Sequence, residues 1–140
     1  MTSPTQIVDQ ILAIVRADAT LKGVKQWFLG EPAPSRINGY PSGWVEWMGG
    51  LKEPPVPGKQ VIRDSFAVAV ICQHADCEKA EREGMTLAET VETVFKNHST
   101  VDGKVSSGWV SNREKQKLFS QEKDYSIVAV RVTLSSWRRE

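Results

Sequence analysis

The chain has 140 residues, of which 40% are hydrophobic and 25% are charged, and its formal net charge is +1. This length predicts one domain, residues 1–140, that buries enough surface to fold without disulfides or metals. The near-neutral charge argues against a global attraction to nucleic acid or membrane, and no apolar run approaches the length of a membrane span. With two cysteines and no recognisable signal peptide, we expect synthesis in a reducing, intracellular compartment.

The first predicted element is an N-terminal helix that ends near Asp18. Ser3-Pro4-Thr5-Gln6 matches a capping box with proline at the first helical position. Apolar residues then recur with the spacing of one broad helical face. They are Ile7, Val8, Ile11, Leu12, Ile14 and Val15.

Two short aromatic strands, 25–29 and 44–48, are expected next, with turn-rich sequence between them. In the second strand Trp44 and Met48 share one face, and Trp47 lies on the other. Apolar residues on both faces indicate either a central strand or a strand whose outer face is covered by a partner. Trp47 is therefore a candidate contact residue.

Residues 49–60 are predicted to form a stiff, projecting loop. Proline cannot donate a hydrogen bond to a sheet ladder, and the run Pro54-Pro55-Val56-Pro57 lies in this segment. A projecting loop is a natural place for contacts between subunits, so Pro54, Pro55 and Val56 are further candidates.

The longest alternating strand, 61–73, and an amphipathic helix, 76–97, are predicted to form the centre of the core. On one face of the strand lie Phe66, Val68, Val70 and Cys72, and on the other the small residues Ala67 and Ala69. The packing face of the helix holds Leu87, Val91, Val94 and Phe95. Gly84 interrupts this helix, and Thr86 with Glu89 offers a second capping box, so we expect a kink or a restart near Gly84.

Two more strands, 105–110 and 125–137, are expected to close the chain as a hairpin, with 111–123 as a projecting arm. Alternation in the last strand assigns Val128, Val130, Val132 and Leu134 to the core. The order α-β-β-β-α-β-β predicts an α+β fold. We expect a mixed, mainly antiparallel sheet of about five strands, flanked by an N-terminal helix and one long central helix.

Cys72, His74 and Cys77 form a C-x-H-x-x-C arrangement where the long strand meets the helix. A structural zinc site needs four ligands, and His98 lies at the far end of the predicted helix. A Cys–His pair for nucleophilic catalysis is also conceivable, because Cys77 lies at a helix N-terminus, which favours the thiolate. The sequence shows no third residue that would orient the histidine. The alternative is structural, with Cys72 as a small core residue. We therefore assign no catalytic, cofactor-binding or metal-binding residue.

Basic residues alternate along the expected arm at Arg113, Lys115 and Lys117. They could face nucleic acid, or they could contact another subunit. Glu114 and Glu122 dilute their charge, so a solvated hairpin is the alternative reading.

The chain contains five tryptophans, a high number for its length. Large aromatic side chains serve cores and interfaces alike. A sheet with apolar residues on both faces and one main helix to cover it has surplus apolar surface, which favours oligomerisation.

The succession of these elements resembles the tail terminator and tail-completion (head-tail joining) proteins of long-tailed bacteriophages. The resemblance covers nearly the whole chain. It rests on the segments 4–17, 40–47, 66–72, 87–95 and 125–134.

The resemblance implies a non-enzymatic structural protein of the virion tail, without cofactor or membrane contact, assembled in the host cytoplasm. Its partners would be further copies in a ring, usually a hexamer, the tail-tube protein and the head-tail connector, with DNA passing through the lumen without specific binding. The near-neutral net charge of the chain gives no support for a strongly charged lumen. Neck or connector (head-completion) proteins of similar architecture, a small Cys/His-based enzyme or metal-binding domain, and a nucleic-acid-binding module remain alternatives.

Overall fold

The computed structural model describes residues 2–53, 60–120 and 125–139, with the backbone alone for 117–120. It contains two α-helices and five strands, together with two short 3-10 turns. The elements are α1 (Pro4–Ala17), β1 (Trp27–Leu29), β2 (Ser42–Lys52), β3 (Val61–His74), α2 (Cys77–Asn97), β4 (Ser107–Ser120) and β5 (Tyr125–Arg139). The predicted α+β class and the order α-β-β-β-α-β-β are confirmed.

The five strands form one mixed sheet in the order β1-β2-β3-β5-β4. Strand β1 pairs with β2 in parallel, and the other three pairings are antiparallel. The hairpin of β4 with β5 was expected from the sequence and is present. The three-residue strand β1, which pairs with β2, therefore forms one edge of the sheet, and the much longer β4 forms the other.

Both helices pack on one face of the sheet and enclose a single apolar core. Helix α1 lies against β1 and β2, and α2 lies against β3, β5 and β4. The predicted capping box is formed, since the Ser3 side chain accepts from the Gln6 N–H while the Gln6 side chain accepts from the Ser3 N–H. The alternating apolar residues of β3 and β5 supply the floor of this core.

Helix α2 runs without a break from Cys77 to Asn97, so the predicted restart near Gly84 is wrong. Gly84 is buried against β5, where an added Cβ would lie 2.9 Å from Val128 Cγ1. The glycine is therefore explained by a close approach of helix and sheet.

Two segments predicted as projecting loops are partly strand. Residues 49–52 continue β2 through an irregularity in register after Trp47, where Gly49 has a φ of +105°. Residues 111–120 belong to β4 and pair with β5. Glycines at a β-bulge and polar residues on an edge strand both resemble loop sequence. The predicted contacts Pro54, Pro55 and Val56 lie outside the described residues.

No helix in the described part of the chain combines the length and apolar character needed to span a membrane.

Candidate interaction surfaces

The Cys/His arrangement at the junction of β3 and α2 does not form a metal site in the structure. Cys72 is fully buried and Cys77 is exposed at the first turn of α2. His74 Nε2 lies 3.2 Å from Glu83 Oε2. Within the described residues no group of three or more His, Cys, Asp and Glu side chains is placed to hold a metal ion.

Burial, and secondarily the charge and hydrogen bond of Glu83, raise the pKa of the Cys72 thiol far above its usual range. A thiol that stays protonated is a poor nucleophile. His98 lies at the other end of α2, where its Nδ1 is 2.7 Å from Asp102 Oδ1. The geometry therefore supports the structural interpretation of Cys72.

The basic residues of β4 turn back onto α2. Arg113 Nε lies 2.8 Å from Glu92 Oε1, and Lys115 Nζ lies 2.5 Å from Glu81 Oε1. All four side chains remain partly exposed, so these ion pairs add little stability. They do pair two of the three basic residues that were candidates for a nucleic-acid contact with glutamates, which offsets their positive charge. The Lys117 side chain is outside the described residues.

Four of the five tryptophans form two pairs, one that packs into the fold and one that is exposed, while Trp137 is partly buried. Trp44 is buried, and its Nε1 has no hydrogen-bond partner among the described residues. Trp27 packs against the core from β1. By contrast, Trp47 is 52% exposed and Trp109 is 47% exposed. The first two serve the fold, and the last two are available to a partner.

A buried ion pair holds Trp47 in place although the indole is half exposed. Its Nε1 donates to Asp64 Oδ1 at 3.1 Å, and Asp64 Oδ2 accepts from Arg138 Nη1. Asp64 and Arg138 are 3% and 6% exposed. A tryptophan with a fixed orientation loses little conformational freedom when it binds, which is the property of an interface anchor.

Trp47 is one of several exposed apolar side chains near the place where β2 loses its partner β1. The pairing of β1 with β2 ends at Leu29 opposite Val45, so β2 has no strand partner on this side beyond Val45 among the described residues. Four large apolar side chains of β1 and β2 are exposed in this region, on both faces of the sheet: Trp47 is in the row of the core residue Phe66, whereas Met48 Sδ lies 4.0 Å from Thr133 Oγ1 on the opposite face. We call them the β2 edge patch: Leu29 (65%), Trp47 (52%), Met48 (46%) and Leu51 (64%).

Sequence reasoning identified Trp47 but missed the other three members of the patch. Alternation correctly assigned Met48 and Trp47 to opposite faces, but residues 49–60 were predicted as a loop, which left Leu51 outside the strand. The missing signal was the bulge itself, which a glycine pair inside a strand can indicate.

No protein-family model matches the chain, and no curated protein sequence matches it. Among solved structures, the fold is similar to a chain of the virion of a native gene transfer agent (GTA) particle. The TM-score is 0.50 at 13% sequence identity, over 93% of this chain and 92% of that chain. At this identity the likeness establishes a shared fold.

Proposed function

We propose that the chain is a non-enzymatic structural protein of a phage-like virion, and specifically a tail terminator that joins the tail tube to the head-side connector. The observation that carries this proposal is the fold similarity to a chain of a GTA virion over nearly the full length of both chains. The architecture-level resemblance of the sequence to tail terminators supports the finer assignment. A neck or connector role is the neighbouring alternative.

The proposal requires surfaces through which copies can associate. A ring needs a heterologous interface, in which two different patches of one subunit meet the opposite patches of its neighbours. The exposed apolar side chains of the sheet supply two such patches on opposite edges. One is the β2 edge patch, and the other is Trp109 on β4.

The register of the sheet supports the match between these edges. Trp47 lies in the same row as Val110, through Phe66 and Leu134. Four residues further along β2, the row of Leu51 leads to Ser107 of β4. The apolar stretches of the two edges are therefore at one level, and side-by-side copies would bring them together.

Strand direction is also compatible. Strand β4 is antiparallel to β5, β5 is antiparallel to β3, and β3 is antiparallel to β2. It follows that β4 runs antiparallel to β2. Neighbouring copies that keep the same orientation would pair these edges as an antiparallel ladder, which is the commoner kind.

Variants that block one edge each test the ring. Trp47→Ser and Trp109→Ser should each remain folded but fail to form rings, as measured by native mass spectrometry, light scattering and electron microscopy. A mixture of the two variants should stop at mixed dimers, because only one competent pair of edges remains. Lys79→Ser, on an exposed position of α2, is the matched control and should assemble normally.

Addition to purified tail tubes that lack a terminator tests the finer role. Wild-type protein should bind one end of the tube and block further growth. A protein that ignores tubes but binds purified portal or connector complexes would refute the terminator role in favour of the neck. Strictly monomeric protein that binds neither would refute the structural proposal altogether.

A further inference from the structure

The indole of Trp47 is held from inside the fold by a residue to which the proposed ring gives no role. Trp47 lies in the row of the core residue Phe66, at the last regular pairing before the irregularity in β2. Its Nε1 donates to Asp64 Oδ1 at 3.1 Å, and Asp64 is only 3% exposed. A half-exposed side chain on β2 is therefore tied to a buried carboxylate on the neighbouring strand.

The backbone of β2 makes room for this carboxylate. Gly50 is the register partner of Asp64. A Cβ added at Gly50 would collide with Asp64 Oδ1, and it would lie 2.8 Å from the carbonyl oxygen of Arg63. Because glycine has no side chain, the carboxylate can lie over β2 and reach Trp47.

The rest of Asp64 is fixed as well. Its Oδ2 accepts from Arg138 Nη1, and Arg138 is 6% exposed. The Ser136 hydroxyl donates to the Asp64 backbone carbonyl at 3.2 Å. Asp64 is consequently anchored to β5 through two residues, and its remaining carboxylate oxygen is the one that accepts from Trp47.

The hydrogen bond to Trp47 matters little to a monomer and much to an assembled state. While the indole is half exposed, water can accept from Nε1 in place of Asp64. Once a partner covers the ring and excludes water, an Nε1–H without an acceptor becomes a buried unsatisfied donor, which weakens binding. Nε1 is the only polar atom of an indole ring. With this atom satisfied from within, the ring presents only carbon to a partner.

We propose that Asp64 is a positioning residue for association through the β2 edge patch. It fixes the orientation of Trp47 and supplies the acceptor that a covered indole requires, so the partner contributes only an apolar surface. This role rests on the proposed function, because it takes a second copy of the chain as the partner that covers the edge.

A double-mutant cycle on the full chain separates positioning from structural support. Asp64→Leu/Arg138→Met removes the acceptor together with its buried counter-charge, and Trp47→Phe keeps an aromatic ring but removes the donor. Each variant should weaken association on the order of tenfold, measured by sedimentation over a range of protein concentrations. Because both variants remove the same hydrogen bond, their combination should weaken association much less than the product of the two effects.

Two comparisons guard against an indirect effect. Trp109→Phe changes an exposed indole at the other edge of the sheet, and its effect should multiply with that of Asp64→Leu/Arg138→Met. The variant Asp64→Leu/Arg138→Met should also resist urea at least as well as the wild type, since apolar replacement of a buried ion pair is often neutral or stabilising. Weaker association without lower stability is a result that a purely structural role would not produce.

Hydrogen exchange at the indole tests the contact itself, in protein kept monomeric by dilution. The Trp47 Nε1–H resonance can be assigned by its absence from Trp47→Phe. It should exchange with solvent much more slowly in the wild type than in Asp64→Leu/Arg138→Met, because the buried carboxylate holds the proton.

The outcomes distinguish this role of Asp64 from the ring itself. If the wild type forms rings but the effects of Trp47→Phe and Asp64→Leu/Arg138→Met multiply, or if the Trp47 Nε1–H exchanges equally fast in both backgrounds, the positioning role is wrong and the ring stands. Wild-type protein that stays monomeric at every concentration would overturn the ring and the positioning role with it.

Discussion

Removing the carboxylate of Asp64 should be among the most damaging single changes in the described core. Asp64 and Arg138 are 3% and 6% exposed, and they join β3 to the last residues of β5. Three groups donate hydrogen bonds to Asp64, two of them to its carboxylate and one to its backbone carbonyl. They are Arg138 Nη1, Trp47 Nε1 and the Ser136 hydroxyl, which donates to the Asp64 carbonyl at 3.2 Å.

The expected magnitude follows from what Asp64→Ala leaves behind. The variant keeps the Arg138 guanidinium buried without a counter-charge, a situation that costs about 3–5 kcal/mol. Trp47 loses an acceptor too, but water can replace it because this indole is half exposed. For a domain of this size the loss corresponds to a decrease in Tm of roughly 10–20 °C.

The matched double variant separates the ion pair from its cost of burial. Asp64→Leu/Arg138→Met replaces both charges with apolar groups, and such replacements are often neutral or stabilising by about 1–4 kcal/mol. Urea denaturation followed by circular dichroism should therefore rank the double variant well above Asp64→Ala. A loss below about 1 kcal/mol for Asp64→Ala would refute the argument, because an uncompensated buried charge cannot be that cheap.

Three further predictions concern α2 and its flanks. Gly84→Ala should lower stability by up to about 2 kcal/mol in urea denaturation, since the crowding against β5 outweighs the gain in helix propensity; a more stable variant would contradict the close approach. In native protein Cys77 alone should react with a disulfide reagent, and Cys72 only after unfolding, because Cys72 is buried and burial raises the pKa of its thiol; two reactive thiols in the native state would contradict the burial of Cys72. The hydrogen bond with His98 lowers the pKa of Asp102 below its ordinary value of 3.8. The stabilisation by Asp102 is therefore present above that value and lost as the pH falls through the folded-state pKa, so the stability gap between wild type and Asp102→Asn should close in acid.

The core could be predicted from the sequence because its signals are local and periodic. The capping box is formed by residues three positions apart, and the apolar patterns of α1, β3 and β5 recur every few residues. Each of these features is present in the structure. The predicted element boundaries were wrong where the local sequence is typical of both a strand and a loop. Gly49-Gly50 resembled a turn, and the charged sequence 111–120 resembled an arm.

The candidate sites were less accessible to sequence reasoning because they depend on distant partners. Asp64 and Arg138 are 74 residues apart, and nothing in the local sequence of either residue indicates the other. Lys115, which the sequence offered as a nucleic-acid contact, forms an ion pair with Glu81, 34 residues away in the chain. Only the topology of the sheet brings such residues together.

The two edges of the sheet differ in how they avoid unwanted pairing, and this difference is the strongest structural argument for a partner. Along β4, the stretch from Asn112 to Gln116 consists only of charged and polar residues, a common protection of edge strands. Between Trp47 and Leu51, β2 carries no charge, and only the irregularity in register after Trp47 interrupts this edge. A monomer gains nothing from a free edge lined with large apolar side chains, which would promote aggregation. A specific partner that covers this edge would remove that hazard, and it is the reason to look for the interface at β2 first.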